Sequence, residues 1–254
     1  MRVGIFGAGQ AGLMLKTWLP SNIEVKCFID NDNSKHGTSL DNTPVLALKD
    51  APYLDEIIIA VLNNDIRWLQ DVRLATLRLL SRQIRERNIT GALAELGVYR
   101  GKFAAEINRT FPERKIYIFD TFAGFSERDI DDNVSKMSFS DTSVETVKDA
   151  LPNPSQAVFV IGRFPDSLSS CQNLPETYAL VSLDVDMYTP TLEGLKYFWP
   201  RLSVGGAILI HDYTSKQFPG VHKAVNEYCE EMKLFLVPLM DLHGTAVLLK
   251  QSYQ

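Results

Sequence analysis

The stretch LDVDMY at residues 183–188, followed by ILIHDY at residues 208–213, decides how the chain folds. Each stretch begins as a short apolar run that is typical of a buried parallel strand, and each ends abruptly in acidic residues. In an open α/β sheet the carboxyl ends of neighbouring strands border one crevice, where ligands bind. The pattern therefore predicts that the polar residues at the ends of both strands share one site: Asp184, Asp186, His211 and Asp212.

Several carboxylates in one crevice need a neutralising partner. Clustered carboxylates repel one another unless a cation or a shared proton intervenes, so this cluster indicates a metal site. The alternative is that each acid caps the helix that follows its strand. Capping explains any one of these acids, but it explains two tandem pairs poorly.

A glycine turn lies upstream of the acid cluster. Residues 92–101 read ALAELGVYRG, a strand followed by the pattern E-x-G-x-x-x-G. In methyltransferase folds, the acid and the glycines of such a motif accept S-adenosylmethionine, because the glycines let the backbone approach its methionine part. The motif is weak alone, because glycine turns after strands are common. The next strand, 115–119, ends at Asp120, where an acid can accept both ribose hydroxyls of an adenosyl cofactor.

Strands and helices alternate through this part of the chain, which predicts an α/β fold with a doubly wound, mostly parallel sheet. The further elements expected are a strand at 157–161, a helix at 191–199 stopped by Pro200, a turn at 203–206 and a pair of final strands at 234–238 and 245–249.

The first 65 residues predict a smaller unit that is incomplete. GAGQAG at residues 7–12 matches GxGxxG between a strand and a helix, and the next strand ends at Asp30, which is placed to meet a ribose. A full dinucleotide fold needs two such halves, and about one is present. We therefore expect a partial Rossmann-like domain at 1–65 and a second domain at 66–254. The first domain could bind a nucleotide or nucleotide-sugar, or it could only pack and position.

A helix over residues 66–87 is expected to join the two domains. The apolar positions expected on one face are Leu69, Val72, Leu79, Leu80 and Ile84. Basic residues interleave with this stripe, so a solvated helix face is favoured over a nucleic-acid footprint. These residues are Arg67, Arg73, Arg78, Arg82, Arg85 and Arg87.

Composition narrows the class of protein. The 254 residues are 45% hydrophobic and 22% charged, which is ordinary for a globular protein. A net charge of −5 gives no support for a nucleic-acid partner. Three scattered cysteines without a CxxC pair argue against a disulfide scaffold or a zinc ribbon. No apolar run has membrane-spanning length and the N-terminus reads as a strand, so we expect a cytoplasmic protein.

From about residue 71 to residue 250 the chain resembles the macrocin-type (TylF-like) O-methyltransferases. The matching motifs, in order, are AELGVYRG at 94–101, FDTF at 119–122 with GF at 124–125, DTS at 141–143, GRFPDSL at 162–168, LDVDMY at 183–188, GG at 205–206 through HDY at 211–213, and KAV at 223–225 after Gly220. The resemblance implies a class I methyltransferase fold and magnesium-dependent transfer of a methyl group from S-adenosylmethionine to a sugar hydroxyl. The N-terminal stretch resembles the small Rossmann-like domains attached to some sugar-modifying transferases.

The resemblance also implies roles for individual residues. Glu95, Gly97 and Gly101 would border the methionine end of the cofactor, and Asp120 its ribose. The full set expected to bind the cofactor is Glu95, Gly97, Tyr99, Gly101, Asp120, Thr121, Phe122, Asp166 and Asp184. Phe122 and Phe125 are expected against the adenine.

For the metal, the resemblance implies Asp184 and Asp212 as ligands and Asp186 as the base. The family commonly has an acid where this chain has His211. An imidazole there would weaken a Mg²⁺ site or favour Mn²⁺ or another metal. Alternatively, His211 leaves the coordination shell and transfers protons. Asp186 could itself be a third metal ligand.

The acceptor is expected to be a hydroxyl of a small molecule or glycan, and a nucleotide-sugar, a lipid-linked glycan and a glycosylated natural product all fit. Homo-oligomerisation through the N-terminal domain is expected, because an incomplete sheet leaves an edge to cover. The segment 127–143 is either a lid over the cofactor or a mobile insertion. The alternative functions are an NAD-dependent oxidoreductase and a non-catalytic nucleotide-sugar-binding protein, both using the N-terminal GxGxxG.

Overall fold

The computed structural model describes residues 1–20, 22–60, 72–130, 139–239, 241 and 244–251. The chain divides into two compact units, Met1–Gln70 and Asp71–Gln254. They are called unit 1 and unit 2 below. Among the described residues, no helix combines the length and the apolar character needed to cross a membrane.

Unit 1 is built on a small, mostly parallel sheet. Its strands are β1 (Arg2–Phe6), β2 (Glu24–Ile29), β3 (Ser39–Leu40), β4 (Thr43–Leu46) and β5 (Glu56–Ile59). Their order is β3-β4-β2-β1-β5, and only β3 runs antiparallel to its neighbour. Helix α1 (Gln10–Trp18) follows β1 after the glycine turn, and Ile5 and Phe28 lie in the apolar core beneath it. The expected strand, glycine turn, helix and strand are confirmed.

Unit 2 contains the larger sheet. Its strands are β6 (Ala92–Leu96), β7 (Ile116–Asp120), β8 (Ala157–Ile161), β9 (Tyr178–Leu183), β10 (Leu202–Ile210), β11 (Leu236–Pro238) and β12 (Ala246–Leu249). The order is β11-β12-β10-β9-β6-β7-β8, in which the strands from β10 to β8 are parallel and β12 runs antiparallel to β10 and β11. The expected fold class and the final strand pair are therefore confirmed.

Helices pack on both faces of this sheet. They are α2 (Val72–Glu86), α3 (Lys102–Thr110), α4 (Val144–Ala150), α5 (Tyr188–Arg201) and α6 (Pro219–Met232). Apolar side chains form one buried cluster on each face, and every residue of the central strand β9 is buried. A strand covered on both faces is apolar throughout, which is why the run before Asp184 has no alternation.

The register of the central strands brings their ends together. Leu183, the last residue of β9, is paired with Ile210 of β10 on one side and with Leu96 of β6 on the other. The residues that follow these three strands therefore lie at the same edge of the sheet. This edge carries both the glycine turn and the acid cluster.

Two local expectations about unit 2 are wrong. Helix α5 runs to Arg201 and includes Pro200 in its last turn, so the proline does not stop the helix at Trp199. Residues 203–206 are part of β10 rather than a turn. Gly205 and Gly206 exchange backbone hydrogen bonds with Lys250, which keeps this segment in the sheet.

The expected face of the joining helix is also partly wrong. Of the expected 66–87 helix, residues 66–71 lie outside the described part of the chain, and α2 covers the rest up to Glu86. Leu79 is 58% exposed, whereas Arg73 is buried together with Leu77. Arg73, Leu77, Leu80 and Ile84 recur at helical spacing on one face. Arg73 thus belongs to the buried face and not to a solvated one.

Candidate active site

A cavity of about 380 Å³ opens at the carboxyl edge of the unit 2 sheet. Residues from the ends of five strands line it, which is the position that the crossover of an open α/β sheet provides for a ligand. The residues expected at the site that do line it are Gly97, Tyr99, Asp120, Thr121, Asp184, Asp186, His211 and Asp212, together with Phe125.

Gly97 makes the close approach between the glycine turn and the acid cluster. Its φ is +82°, a conformation that favours glycine. A methyl group on its Cα would collide with the backbone oxygen of Asp184. Residue 97 must therefore be glycine for β6 and β9 to lie this close.

Asp120 ties this turn to the end of the next strand. Its Oδ2 accepts hydrogen bonds from the backbone N–H of Val98 at 2.7 Å and of Tyr99 at 3.2 Å, and its Oδ1 accepts from the N–H of Phe122 at 2.8 Å. A carboxylate has about four acceptor positions. Asp120 therefore both shapes the turn and keeps acceptor capacity at the cavity wall.

The acid cluster contains three groups that are spaced closely enough to hold a metal ion. One ligand atom from each of Asp184, His211 and Asp212 lies within 4.8 Å of the others. Nδ1 of His211 is 2.7 Å from Oδ2 of Asp212 and 3.0 Å from Oδ1 of Asp184. Two carboxylates and an imidazole at this spacing fit one divalent cation. The nitrogen ligand suits Mn²⁺ or a similar transition metal better than Mg²⁺.

The protonation of these groups reflects their burial and their mutual charges. Burial alone would lower the pKa of His211, but hydrogen bonds from its ring to Asp184 and Asp212 raise the pKa to about 9. Burial alone would raise the pKa of Asp184, but the charge of Arg73 and the contact with His211 lower it to about 2. For Asp186, burial and then the charges of Asp184 and Asp212 raise the pKa well above its usual range. The cluster thus holds protons that a cation would displace.

The structure does not bring four of the expected residues to the cavity wall: Glu95, Gly101, Phe122 and Asp166. Gly101 is at the start of α3 and packs against α4. The ring of Phe122 packs against that of Phe159. Asp166 is half exposed and pairs with Arg128 and Arg163 instead.

Glu95 lies inside the sheet rather than on its edge. The residue is 2% exposed, and its Oε1 accepts a hydrogen bond from Ser182 Oγ at 3.3 Å. Its Oε2 has no hydrogen-bond partner among the described residues. Burial raises the pKa of Glu95 to about 8. Because strand residues alternate between faces, the acid before Leu96 points into the layer behind the cavity.

Two arginines at the site were not expected from the sequence. Arg73 donates to Asp184, and Arg163, which lines the cavity, forms a buried two-bond ion pair with Asp129 at 2.9 and 2.6 Å. A sequence signal existed for Arg73, since it falls on the same helical face as Leu77. For the Arg163–Asp129 pair no local pattern relates the two positions.

An aromatic residue of the expected lid segment also lines the cavity. Phe139 lines the cavity, and its ring contacts those of Tyr99 and Phe125 edge-on. Of the expected lid segment 127–143, residues 131–138 lie outside the described residues. Phe139, in the later described part of the segment, is thus packed on the glycine turn.

A doubly wound sheet with a glycine turn, a strand-end acid and a carboxylate cluster on one cavity is the arrangement of a class I methyltransferase. Residues 68–251 match the family described as Macrocin-O-methyltransferase (TylF), and the chain belongs to this family. The resemblance read from the sequence motifs is therefore confirmed.

Individual relatives support the same conclusion. The mycinamicin III 3''-O-methyltransferase of Micromonospora griseorubida is 29% identical over 159 residues, which are 55% of this chain and 61% of the relative. The demethyldecarbamoylnovobiocin O-methyltransferase of Streptomyces niveus is 27% identical over 173 residues, 61% of this chain and 64% of the relative. This chain thus spans less than two thirds of the length of these curated relatives.

Solved structures share the fold. The O-methyltransferase NovP superimposes with a TM-score of 0.58 at 26% identity, covering 71% of this chain and 80% of NovP. The calicheamicin methyltransferase CalS11 gives a TM-score of 0.56 at 21% identity, covering 73% of this chain and 82% of CalS11. The second likeness shows the fold alone.

Proposed function

We propose that this protein transfers a methyl group from S-adenosylmethionine to a hydroxyl of a sugar, with the help of a divalent cation. One observation carries the proposal: the turn at Gly97, the strand-end acid Asp120 and the cluster around His211 all open onto the same cavity. Gly97 and Asp120 would hold the cofactor, and the cluster would meet the acceptor. Family membership supports the reaction class.

The chemical task is to align an acceptor oxygen with the methyl–sulfur bond and to remove its proton. A cation held by Asp184, His211 and Asp212 would lower the pKa of an acceptor hydroxyl and fix its oxygen. Asp186 lines the cavity beside these ligands and is the proposed base. Its raised pKa suits a base that works near neutral pH, because proton transfer is most effective when the two are matched.

His211 has two proposed roles that the geometry supports to different degrees. Its Nδ1 lies between the carboxylates of Asp184 and Asp212, which supports a ligand role. The raised pKa of His211 supports proton transfer as the alternative role. We favour the ligand role, because Nδ1 lies within 3.0 Å of one oxygen of each carboxylate, a spacing that the ligand atoms of one cation can share.

A sugar is the proposed acceptor because one relative is named for a sugar-bearing compound. It is the Streptomyces olivaceus 4'-O-methyltransferase of a rhamnosyl tetracenomycin, 27% identical over 176 residues. The curated relatives are all named as O-methyltransferases, and the comparisons lend no support to an oxidoreductase or a nucleotide-sugar scaffold. The acceptor could be a free nucleotide-sugar, a glycan or a glycosylated natural product.

The test is methyl transfer from isotopically labelled S-adenosylmethionine to a panel of deoxysugar nucleotides and glycosides. We expect labelled methyl ether on at least one sugar, its loss with a chelator, and its return on adding Mn²⁺ or Mg²⁺. Equilibrium binding of S-adenosylmethionine and of NAD to the same preparation serves as the comparison. A protein that binds NAD but does not bind S-adenosylmethionine would overturn the proposal. Methyl transfer that persists in the presence of a chelator would overturn the proposed role of the cation.

For residues 1–65 we propose binding of a nucleotide or nucleotide-sugar. Support comes from a cavity of about 300 Å³ lined by residues 7–11, Asp30 and Lys35. Lys35 supplies a positive charge in this lining, and its Nζ, now 2.9 Å from Oδ2 of Asp30, would have to turn from that carboxylate to meet a phosphate. Calorimetric titration with a nucleoside diphosphate sugar should show binding that Lys35→Ala weakens and Lys26→Ala, on β2, does not. An absence of binding would leave this unit with a packing role only.

A further inference from the structure

Arg73 is a buried charge directly behind the acid cluster. Its side chain is 9% exposed, its Nη1 donates to Oδ2 of Asp184 at 3.0 Å, and its Nη2 donates to Ser182 Oγ at 2.8 Å. Its Cζ lies 3.7 Å from the centroid of the Phe103 ring. Two hydrogen bonds and an aromatic face fix the plane of the guanidinium. The carboxylate of Asp184 therefore has a fixed orientation.

The two oxygens of Asp184 have different neighbours. Oδ2 accepts from Arg73, whereas Oδ1 faces His211 at 3.0 Å, on the side of the other candidate ligands. A carboxylate that ligates a cation with both oxygens would share Oδ2 between the cation and the hydrogen bond from Arg73, which weakens both interactions. As long as this bond holds, ligation through Oδ1 alone is favoured.

The number of oxygens that a carboxylate offers matters for the choice of cation. Ca²⁺ accepts six to eight oxygens and commonly binds carboxylates through both, whereas Mg²⁺ needs near-octahedral geometry with single oxygens. Groups that orient a metal ligand from behind alter metal affinity by about 10- to 100-fold when they are removed.

We propose that Arg73 is a positioning residue that restricts Asp184 to ligation through one oxygen and so makes the site prefer small divalent cations over Ca²⁺. The inference rests on the proposed function, because it requires that a cation binds at Asp184. The charge of Arg73 opposes cation binding in general. Its hydrogen bond discriminates among cations, and this second effect is the new element.

The two effects separate in the ratio of affinities. Loss of positive charge tightens the binding of Mn²⁺ and Ca²⁺ alike and leaves their ratio unchanged. Loss of orientation frees Oδ2 and tightens Ca²⁺ relative to Mn²⁺. If Arg73 only supported folding, its replacement in a folded variant would leave the ratio of the Ca²⁺ and Mn²⁺ affinities unchanged.

The experiment is titration of the full chain, metal-free, with Mn²⁺ and with Ca²⁺, by calorimetry and by Mn²⁺ electron paramagnetic resonance. The variants are Arg73→Met, which removes the charge and the hydrogen bonds, and Arg73→Lys, which keeps the charge but cannot bridge Asp184 and Ser182. Arg82→Met is the matched control, because Arg82 is exposed on the same helix. Circular dichroism and thermal melting establish that each variant is folded.

We expect the Ca²⁺ to Mn²⁺ affinity ratio to rise about tenfold in both Arg73 variants and to stay at the wild-type value in Arg82→Met. Ser182→Ala, which removes one anchor of the guanidinium, should give a smaller shift of the same sign and carries the test if the Arg73 variants do not fold. An unchanged affinity ratio in folded variants would overturn the proposed role of Arg73 and leave the proposed function standing. A wild-type protein that binds neither cation would instead overturn the metal part of the proposed function, and this inference with it.

Discussion

The backbone N–H of Val98 donates to Oδ2 of Asp120 at 2.7 Å, so the glycine turn and the strand-end acid form one hydrogen-bonded unit. Unit 1 repeats this relationship: the N–H of Ala8, in its own glycine turn, donates to Oδ2 of Asp30 at 2.9 Å. In both units an acid at the end of the second strand holds the turn after the first. The acid is thus part of the fold before any ligand arrives.

Asp120→Asn should weaken cofactor binding. The amide loses the charge that a ribose would meet, and its NH₂ group would face backbone N–H donors in place of an oxygen. We expect the affinity for S-adenosylhomocysteine to fall about 10- to 100-fold, the effect of losing a hydrogen bond to a charged group. Calorimetry measures it, with the half-exposed Asp166→Asn as the control that should bind like wild type. Equal losses in both variants would contradict this.

Asp186→Asn should separate cofactor binding from chemistry. The amide is isosteric with the carboxyl but cannot accept the acceptor's proton. Turnover should fall about 10²- to 10⁴-fold, the contribution of a general base, while the cofactor dissociation constant stays near the wild-type value. Steady-state kinetics and calorimetry on one preparation give both numbers. Methylation at a near-normal rate would remove Asp186 as the base.

Metal affinity should rise with pH. Without a cation the pKa of His211 is raised to about 9, and an imidazole must lose its proton to ligate a metal. Below that pKa the apparent Mn²⁺ affinity should increase about tenfold per pH unit if one proton is displaced. Mn²⁺ titrations between pH 6 and pH 9 would show the slope. In His211→Asp the slope should flatten and Mg²⁺ should gain on Mn²⁺, whereas a slope that persists there would point to another proton.

Glu95 should make the metal-free protein less stable at higher pH. Its folded-state pKa, raised by burial to about 8, lies above the ordinary value of 4.5. The folded state therefore binds more protons between these two values, and the free energy of unfolding falls as pH rises through this window. Glu95→Gln keeps the size of the side chain and removes the titratable carboxyl group. The melting temperature of this variant should therefore change less between pH 5 and pH 8 than that of the wild-type protein.

Thermal melts of both proteins across that range, in the presence of a chelator, make the comparison. Glu113→Gln is a suitable control because Glu113 is exposed and the pKa of this residue is shifted in the opposite direction. Parallel curves for wild type and Glu95→Gln would show that Glu95 does not carry a proton in this window.

The strand-end residues could be predicted because their signals are local. An apolar run that stops at Asp184, or a glycine turn that precedes a helix, is visible within about ten residues. The topology rule then places such ends together. What the pattern of one strand does not show is that β6 ends at Leu96, so that Gly97 in the following turn lines the cavity while Glu95, inside the strand, points to the face opposite Leu96.

Arg73 could not be placed in the same way. Arginine is seldom buried unless it is paired, and its partner Asp184 is 111 positions away in the chain. Only the packing of α2 on the sheet brings the two together. The prediction of a turn at residues 203–206 is wrong for a related reason. Two glycines suggest a turn, but backbone hydrogen bonds with the distant Lys250 keep this segment extended.

The contact at Gly97 has a consequence for redesign. The turn that would hold the methyl donor and the backbone of Asp184, a proposed metal ligand, lie so close that no methyl group fits between them. An engineered pocket for a bulkier donor at this turn would have to push β9 aside, and the proposed cation ligand would move with it. The choice of methyl donor and the geometry of the proposed cation site are therefore coupled. Laboratory evolution toward a bulkier donor should select compensating changes at the cation site.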